Sequence, residues 1–350
     1  MIDFKKYILS NNAIAREALQ LISKIATPNM AIFIINEKSQ LLGSLSDGDI
    51  RRGLLSGLTI DESVSKFMFA TSKYFIDGEN NFQKVNEFKS KGIRFVPMVN
   101  SNLVIINVID LEKLRTLIPA DVMLMAGGKG ERLKPLTDTI PKSMLKIADK
   151  PIILRNIERL ANFGIKDFYV SVRHMADQIE KGITENKIEN TTIKIIKEEK
   201  PLGTIGSLKL VDEFSHDVVI VMNSDLLTNI DFGDFYKKFI DTGSDMLVAT
   251  VPYHVDVPYA VMNINEEEEV ISFSEKPRYT YYSNAGIYIF KKELVSLIPD
   301  NSAFDATHFM EVVIANNKKL ASYPILGYWL DIGRTEDFYK AQEDIKHIVL

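Results

Sequence analysis

The chain opens on a helical pattern. Between Ala13 and Ala26, Ile14, Ala18, Leu21, Ile22 and Ile25 recur at helical spacing and form one apolar stripe. AIFIIN (31–36) and LLGSLS (41–46) then read as two strands joined by a polar turn. SDGDIRRGLLSG follows as a helix, with Ser46 or Asp47 as N-cap and Gly57 as its stop. The same order returns about sixty residues later, which is the mark of an internal repeat: a helix near Asn81–Lys91, strands at Ile93–Val99 and Leu103–Ile109, and a helix at Asp110–Leu117.

Pro119 ends that pattern, and a domain boundary is expected there, giving residues 1–119 and 120–350. From Val122 onward strands alternate with helices. The helix 152–164 lies between Pro151 and Gly164, DFYVSV (167–172) and TIKIIK (192–197) read as strands, and a helix is expected after Gly206. Val218–Met222 and Met246–Val251 are further strands around a helix near Phe232–Asp241. Such alternation predicts an α/β, Rossmann-like, mixed but mostly parallel sheet flanked by helices, preceded by a small α+β unit. Ligands of such sheets bind beyond the carboxyl ends of the strands, which singles out 127–134 and the segments after Lys197, after Met222 and near Asp331.

Composition narrows the chemistry. The chain has 350 residues, 46% of them hydrophobic and 25% charged, and a net charge of −5, with no electrostatic footprint for nucleic acid. No cysteine is present, which excludes disulfides, thiolate metal sites and cysteine nucleophiles. No apolar run approaches the ~20 residues of a membrane span, and the amino terminus lacks a secretory pattern, so a cytoplasmic protein without a membrane partner is expected. The acidic run EEEEV (266–270) reads as a solvated hairpin turn, and the five histidines show no ligand spacing.

The stretch VMLMAGGKGERLKPLTDTIPK (122–142) carries the strongest chemical signal: a buried strand, then Gly127, Gly128 and Gly130, then Lys129, Arg132, Lys134 and Lys142. Glycines let backbone N–H groups approach an anion, and fixed cations balance charge on a transferring phosphoryl group. The stretch is neither a P-loop, since GxxxxGK[ST] is absent, nor the dinucleotide fingerprint, since Leu133 stands where its third Gly belongs.

Two family resemblances follow. The repeat, and GSLSDGDIRRGL (43–54) within it, resembles the paired cystathionine-β-synthase (CBS) module. That likeness implies an adenine nucleotide held by Ser46 and Asp49, or else a role in assembly; both residues also suit a plain helix cap. AGGKGERLKPLT (126–137) followed by PKSMLKI (141–147) resembles the signature of sugar-1-phosphate nucleotidyltransferases, which have a glycosyltransferase-A-like fold. EEKPLGTIGSL (198–208), VVIVMNSDLL (218–227), SEKPRY (274–279), SNAGIYIF (283–290) and WLDIG (329–333) match further family segments in order.

The second likeness implies that Arg132 and Lys142 grip the triphosphate and Lys276 the incoming sugar phosphate. Ala126, Gly127, Gly128, Gly130, Glu198, Pro201, Gly203 and Thr204 would bind the nucleotide, and Glu199, Glu275, Asn284 and Ala260 the sugar. Asp225 and Asp331 would hold Mg2+. Glu198 and Glu199 stand where uridylyl- and thymidylyltransferases carry Gln; a carboxylate accepts, and guanine offers two adjacent donors, which favours GTP. CBS-fused members resemble guanylyltransferases for glucosamine 1-phosphate or heptose 1-phosphate in bacterial surface glycans. The expected partners are thus a nucleoside triphosphate, a sugar 1-phosphate and an adenine nucleotide at the CBS pair, in a homo-oligomer. Three alternatives stay open: UTP, dTTP or CTP as donor; a phosphocholine-type cytidylyltransferase; and an inert adenine-nucleotide sensor.

Overall fold

The computed structural model describes residues 4–25 and 30–349; Ala26, the last residue of the expected first helix, lies outside them. Contacts divide the chain into two compact units, residues 1–119 with 161–165, and residues 120–160 with 166–350.

In the first unit β1 (Ile8–Ser10), α1 (Ala15–Ile25), β2 (Ala31–Ile35), β3 (Leu41–Ser46) and α2 (Asp47–Leu55) are followed by β4 (Phe75–Ile76), α3 (Phe82–Ser90), β5 (Phe95–Val99) and β6 (Ile105–Asp110). Two three-stranded sheets form, β1-β2-β3 and β4-β5-β6, each with a parallel and an antiparallel pair. Ala31 pairs with Ser46 and Phe95 with Asp110, an offset of 64 residues on both strands (31 to 95, 46 to 110), and each hairpin carries its register shift at the same point. Apolar residues of both halves share one core, in which Ala15, Ala18, Phe33, Phe95, Val99 and Val108 are buried.

The helix expected at Asp110–Leu117 is absent. The Asp110 carboxylate is gripped by Arg94 through Nε and Nη2, both at 3.1 Å, and Asp110 stays in its strand. Leu111, Leu117 and Ile118 are buried, while the carbonyls of Leu114 and Arg115 accept from Lys89 Nζ. Arg115 N donates to Asn162 O at 2.7 Å, so it is not available to the Leu111 carbonyl that a helix would pair it with.

The second unit starts with β7 (Asp121–Ala126), a small hairpin of β8 (Lys146–Ile147) and β9 (Lys150–Pro151), α4 (Ile152–Ala161), β10 (Asp167–Val172), α5 (Ala176–Glu185) and β11 (Thr192–Lys197). It continues with β12 (Val218–Asn223), β13 (Leu226–Thr228), α6 (Phe232–Thr242), β14 (Met246–Asp256), β15 (Val261–Ile264), β16 (Val270–Ser274) and β17 (Arg278–Lys291). It ends with α7 (Ala306–Ala315), β18 (Leu320–Pro324), β19 (Trp329–Asp331) and α8 (Thr335–Asp344). Seven strands form one sheet in the order β11-β10-β7-β12-β17-β14-β18, parallel except where β17 pairs with its two neighbours. This is the mixed, mostly parallel sheet expected from the alternation. β7 lies inside it between β10 and β12, buried on both faces, which is why VMLMA reads as an unbroken apolar run.

Three local expectations change. The segment after Gly206 is a short 3-10 helix (Gly206–Leu210), α4 stops at Ala161, and β14 and β17 are longer than their apolar cores. Past a register shift between Val248 and Thr250 these two strands continue as a ribbon, capped by the β15–β16 hairpin, whose turn holds Glu266–Glu269. Tyr253, Tyr259, Phe273 and Tyr282 are exposed along it.

Candidate active site

The centre of the site is the loop leaving β7. At Gly130 φ is +67°, and a Cβ there would stand 3.0 Å from Thr137 Cγ2 and 3.2 Å from Lys142 Cβ, so only glycine suits the turn. Thr137 Oγ1 donates to Gly130 O at 2.8 Å and folds the loop back onto itself. A cavity of about 550 Å³ opens over the loop. Its lining includes Ala126, Gly127, Gly128, Gly130, Arg132, Lys142, Glu198, Pro201, Gly203, Thr204 and Asp225.

Two remote segments bring the carboxylates together. β13 pairs antiparallel with β19, setting Leu226 opposite Asp331, and Ile332 N donates to Asp225 O at 3.2 Å. The turn that presents Asp225 is held from below. Buried Asn156 on α4 donates through Nδ2 to Ser224 O at 3.2 Å and Leu226 O at 3.0 Å, while Ser224 N donates to Met125 O. Lys142 Nζ bonds Asp225 Oδ2 and lies 3.9 Å from Asp331 Oδ1.

The other wall is the 198–206 loop. Glu198 is 9% exposed, and both its oxygens are engaged: Oε1 accepts from Ser171 Oγ, and Oε2 from Leu202 N at 3.2 Å. It therefore acts as a strut between the loops, and a Cβ on Gly127 would stand 3.0 Å from its Oε1. Asp305 Oδ1 accepts from Thr204 N at 3.0 Å and Thr204 Oγ1 at 3.3 Å, and Ala306 N donates to Thr204 Oγ1 at 2.8 Å. Gly203 has φ +73°, and a Cβ there would meet Phe304 O at 2.7 Å, so the loop presses backbone to backbone on this segment.

Five residues expected at the sugar lie outside the cavity's lining: Glu199, Ala260, Glu275, Lys276 and Asn284. Glu275 and Lys276 are exposed beside the ribbon, Lys276 with φ +45°, because the ribbon runs beyond the sheet. Asn284 donates to Tyr288 Oη at 2.8 Å and accepts from Gly286 N at 2.9 Å. Arg173, Asn223 and Asp305 line the cavity without having been singled out, and neither was Asn156 behind it. Arg173 follows β10 directly, so the rule that chemistry follows strands reaches it. In the first unit Ser46 and Asp49 form a capping box. Ser46 N and Oγ donate to Asp49 Oδ2 at 2.8 and 2.6 Å, Asp49 N donates to Ser46 Oγ, and Arg52 holds Oδ1. Both line a separate cavity of about 690 Å³ with Lys73 and Arg94.

A hard divalent cation fits the carboxylate pair. Asp225 Oδ1 is buried without a hydrogen-bond partner, a donor atom left over by the protein's own bonds. Burial, and then the charge of Asp225, push the Asp331 carboxyl up from its ordinary range, against the smaller pull of Lys142 and Arg132. Asp121, Asp167 and His216 also gather possible ligand atoms within 4.8 Å of one another. They start β7 and β10 or precede β12, at the opposite end of the strands from the glycine loop, and Asp121 already accepts from His216 N at 2.8 Å.

The second unit is similar to known proteins. The family model for nucleotidyl transferases matches residues 121–348. A mannose-1-phosphate guanyltransferase of Debaryomyces hansenii is 32% identical over 229 residues, 62% of this chain and 62% of that protein. A UTP–glucose-1-phosphate uridylyltransferase of Synechocystis is 28% identical over 238 residues, 63% of this chain and 61% of that protein. The chain thus spans less than two thirds of the length of these curated relatives. The crystal structure of HddC from Yersinia pseudotuberculosis superposes with a TM-score of 0.52 at 30% identity, and its complex with GMP-PN with 0.50 at 29%. Each covers 65% of this chain and 99% of the other. Among the described residues no helix is long and apolar enough to cross a membrane. From residue 121 to residue 348, the chain belongs to the nucleotidyl transferase family.

Proposed function

We propose that the protein transfers a nucleotidyl group from GTP to a sugar 1-phosphate, giving a nucleotide sugar and pyrophosphate. The observation that carries this reading is the meeting of the glycine loop, Arg132, Lys142 and Asp225 in one cavity at the carboxyl ends of parallel strands. An oxygen of the sugar phosphate attacks the α-phosphorus, a P–O bond forms, and the bond to the β-phosphate breaks with its electron pair on pyrophosphate. The loop's backbone positions the triphosphate, and Arg132 and Lys142 balance the charge that grows on the leaving group. Asp225 and Asp331 would hold Mg2+, whose bound charge stabilises the phosphate oxygens. No group in the cavity needs to serve as a covalent nucleophile.

GTP is favoured by the guanyltransferase relative and by the GMP-PN bound to the HddC neighbour. Glu198 is tied to Ser171 and Leu202, so the donor preference rests on the backbone frame it supports. The acceptor is a hexose or heptose 1-phosphate, for which Lys276 and Glu275, exposed beside the ribbon, are the candidate contacts. For residues 1–119 we adopt the CBS pair, supported by the hairpins repeated at a 64-residue offset and the cavity lined by Ser46 and Asp49. That module serves regulation by an adenine nucleotide, or assembly of a homo-oligomer.

The test is pyrophosphate release from GTP, UTP, dTTP and CTP with a panel of hexose, hexosamine and heptose 1-phosphates. Release fastest with GTP is the expected outcome. Silence with every pair, together with no binding of any triphosphate, removes the reading.

A further inference from the structure

We propose that Lys142 is the counter-cation of the Asp225–Asp331 pair while no nucleotide is bound, so that divalent cation and triphosphate enter the site together. This rests on the transfer reading and adds an order of binding to it. Lys142 Nζ bonds Asp225 Oδ2 and stands 3.9 Å from Asp331 Oδ1, beside both carboxylates that would hold the cation. The Lys142 and Asp225 side chains are only 15% and 17% exposed, so their charges are weakly screened.

Asp225 and Asp331 already face two fixed cations, Lys142 bonded to the first and Arg132 acting with it on the second. A bare divalent cation would have to enter against them. A triphosphate brings negative charge that offsets this opposition and offers Lys142 new anionic partners, which frees Asp225 Oδ2 beside the orphaned Oδ1.

The lysine is built for this exchange. Its backbone is fixed, since Met144 N donates to Pro141 O at 2.8 Å and Leu145 N to Lys142 O at 3.1 Å, and its Cβ takes the space that a side chain on Gly130 would need. Only the flexible stem and its ammonium are left to swing, a compact charge with rotatable donors rather than a rigid fork.

The test is Mn2+ binding by electron paramagnetic resonance, on full-length protein without nucleotide, for wild type, Lys142→Met and Lys142→Arg. Lys142→Met is expected to bind Mn2+ at least tenfold more tightly than wild type, and Lys142→Arg to stay within about threefold of it. In wild type a non-hydrolysable GTP analogue should tighten Mn2+ by at least tenfold after correction for ion held by free nucleotide, a measurement that needs no variant to fold. Equal or weaker Mn2+ binding in a natively melting Lys142→Met, or no coupling in wild type, overturns the proposal. Absence of Mn2+ binding in every sample overturns the metal site and the proposal together. Tighter binding in Lys142→Met beside a wild type that forms no pyrophosphate upholds the counter-cation and removes the transfer reading instead.

Discussion

Asn156 gives the sharpest handle on how the fold holds the chemistry. Its amide donates to Ser224 O and Leu226 O, the two carbonyls flanking Asp225, from a side chain only 4% exposed. Asn156→Leu keeps the branching at Cγ and removes both donors. Each hydrogen bond contributes about 1 kcal/mol net, and a buried carbonyl left without a partner costs about 1–3 kcal/mol. The variant should therefore lose about 2–3 kcal/mol, a drop of ~30–150-fold in the folding constant. The turn carries one of two carboxylates that must meet within a few ångströms, and a displacement of about 1 Å in such a site costs on the order of 100-fold in rate. Urea unfolding of the metal-free protein, and kcat measured at saturating Mg2+, GTP and sugar 1-phosphate, read the two effects separately. A variant with unchanged stability and unchanged kcat would refute the role given to this residue. Asn156→Asp, which keeps the shape but offers no donor when ionised, should be no better than Asn156→Leu.

Other consequences are as direct. Gly203→Ala should lose at least 1–2 kcal/mol, because φ +73° disfavours a Cβ and Phe304 O stands 2.7 Å from its place, and its KM for GTP should rise more than its kcat falls. Glu198→Gln keeps both bonds if its amide donates to Ser171 and accepts from Leu202, so the fold and the GTP-to-UTP preference should survive; a collapse of that preference would mean that Glu198 reads the base itself. Chelation should abolish turnover and Mg2+ restore it, while Asp225→Asn should reduce kcat by at least 100-fold at any Mg2+ concentration. The Asp331 carboxyl lies above its ordinary range, so the folded protein holds that proton more tightly than the unfolded chain, and the metal-free protein loses this increment of stability as pH rises through the range just above 3.8. Divalent affinity should climb over the same range, and both trends should flatten in Asp331→Asn.

Much of the second unit could be read from the sequence because its signals are local. The buried strand before Gly127, the alternation of strands and helices, and the aspartates at strand ends all follow from period and position. The residues that escaped notice act across the chain. Asn156 looks like a polar residue on a helix until Ser224 and Leu226 arrive above it. Asp305 stands at the start of a helix about a hundred residues away, and only the close packing of Gly203 on Phe304 makes it part of the cavity wall. Glu198 lines the cavity, but its oxygens are used by Ser171 at the end of one strand and by Leu202 in its own loop, partners that spacing alone does not reveal. The missing helix after Asp110 failed for the same kind of reason: Arg94 and Asn162, from elsewhere in the unit, hold the Asp110 side chain and the Arg115 N–H that a helix would have used.

The measurement that bears most directly on the central claim follows the α-phosphate. GTP labelled at the α-phosphorus, incubated with Mg2+ and the sugar 1-phosphate preferred in the panel, should pass its label to a product that resists phosphatase and is formed in step with pyrophosphate. Arg132→Ala should slow that transfer by about 100-fold or more through loss of a charge on the leaving group. Label that stays in GTP, or appears only as GMP with or without the sugar phosphate, would contradict the account.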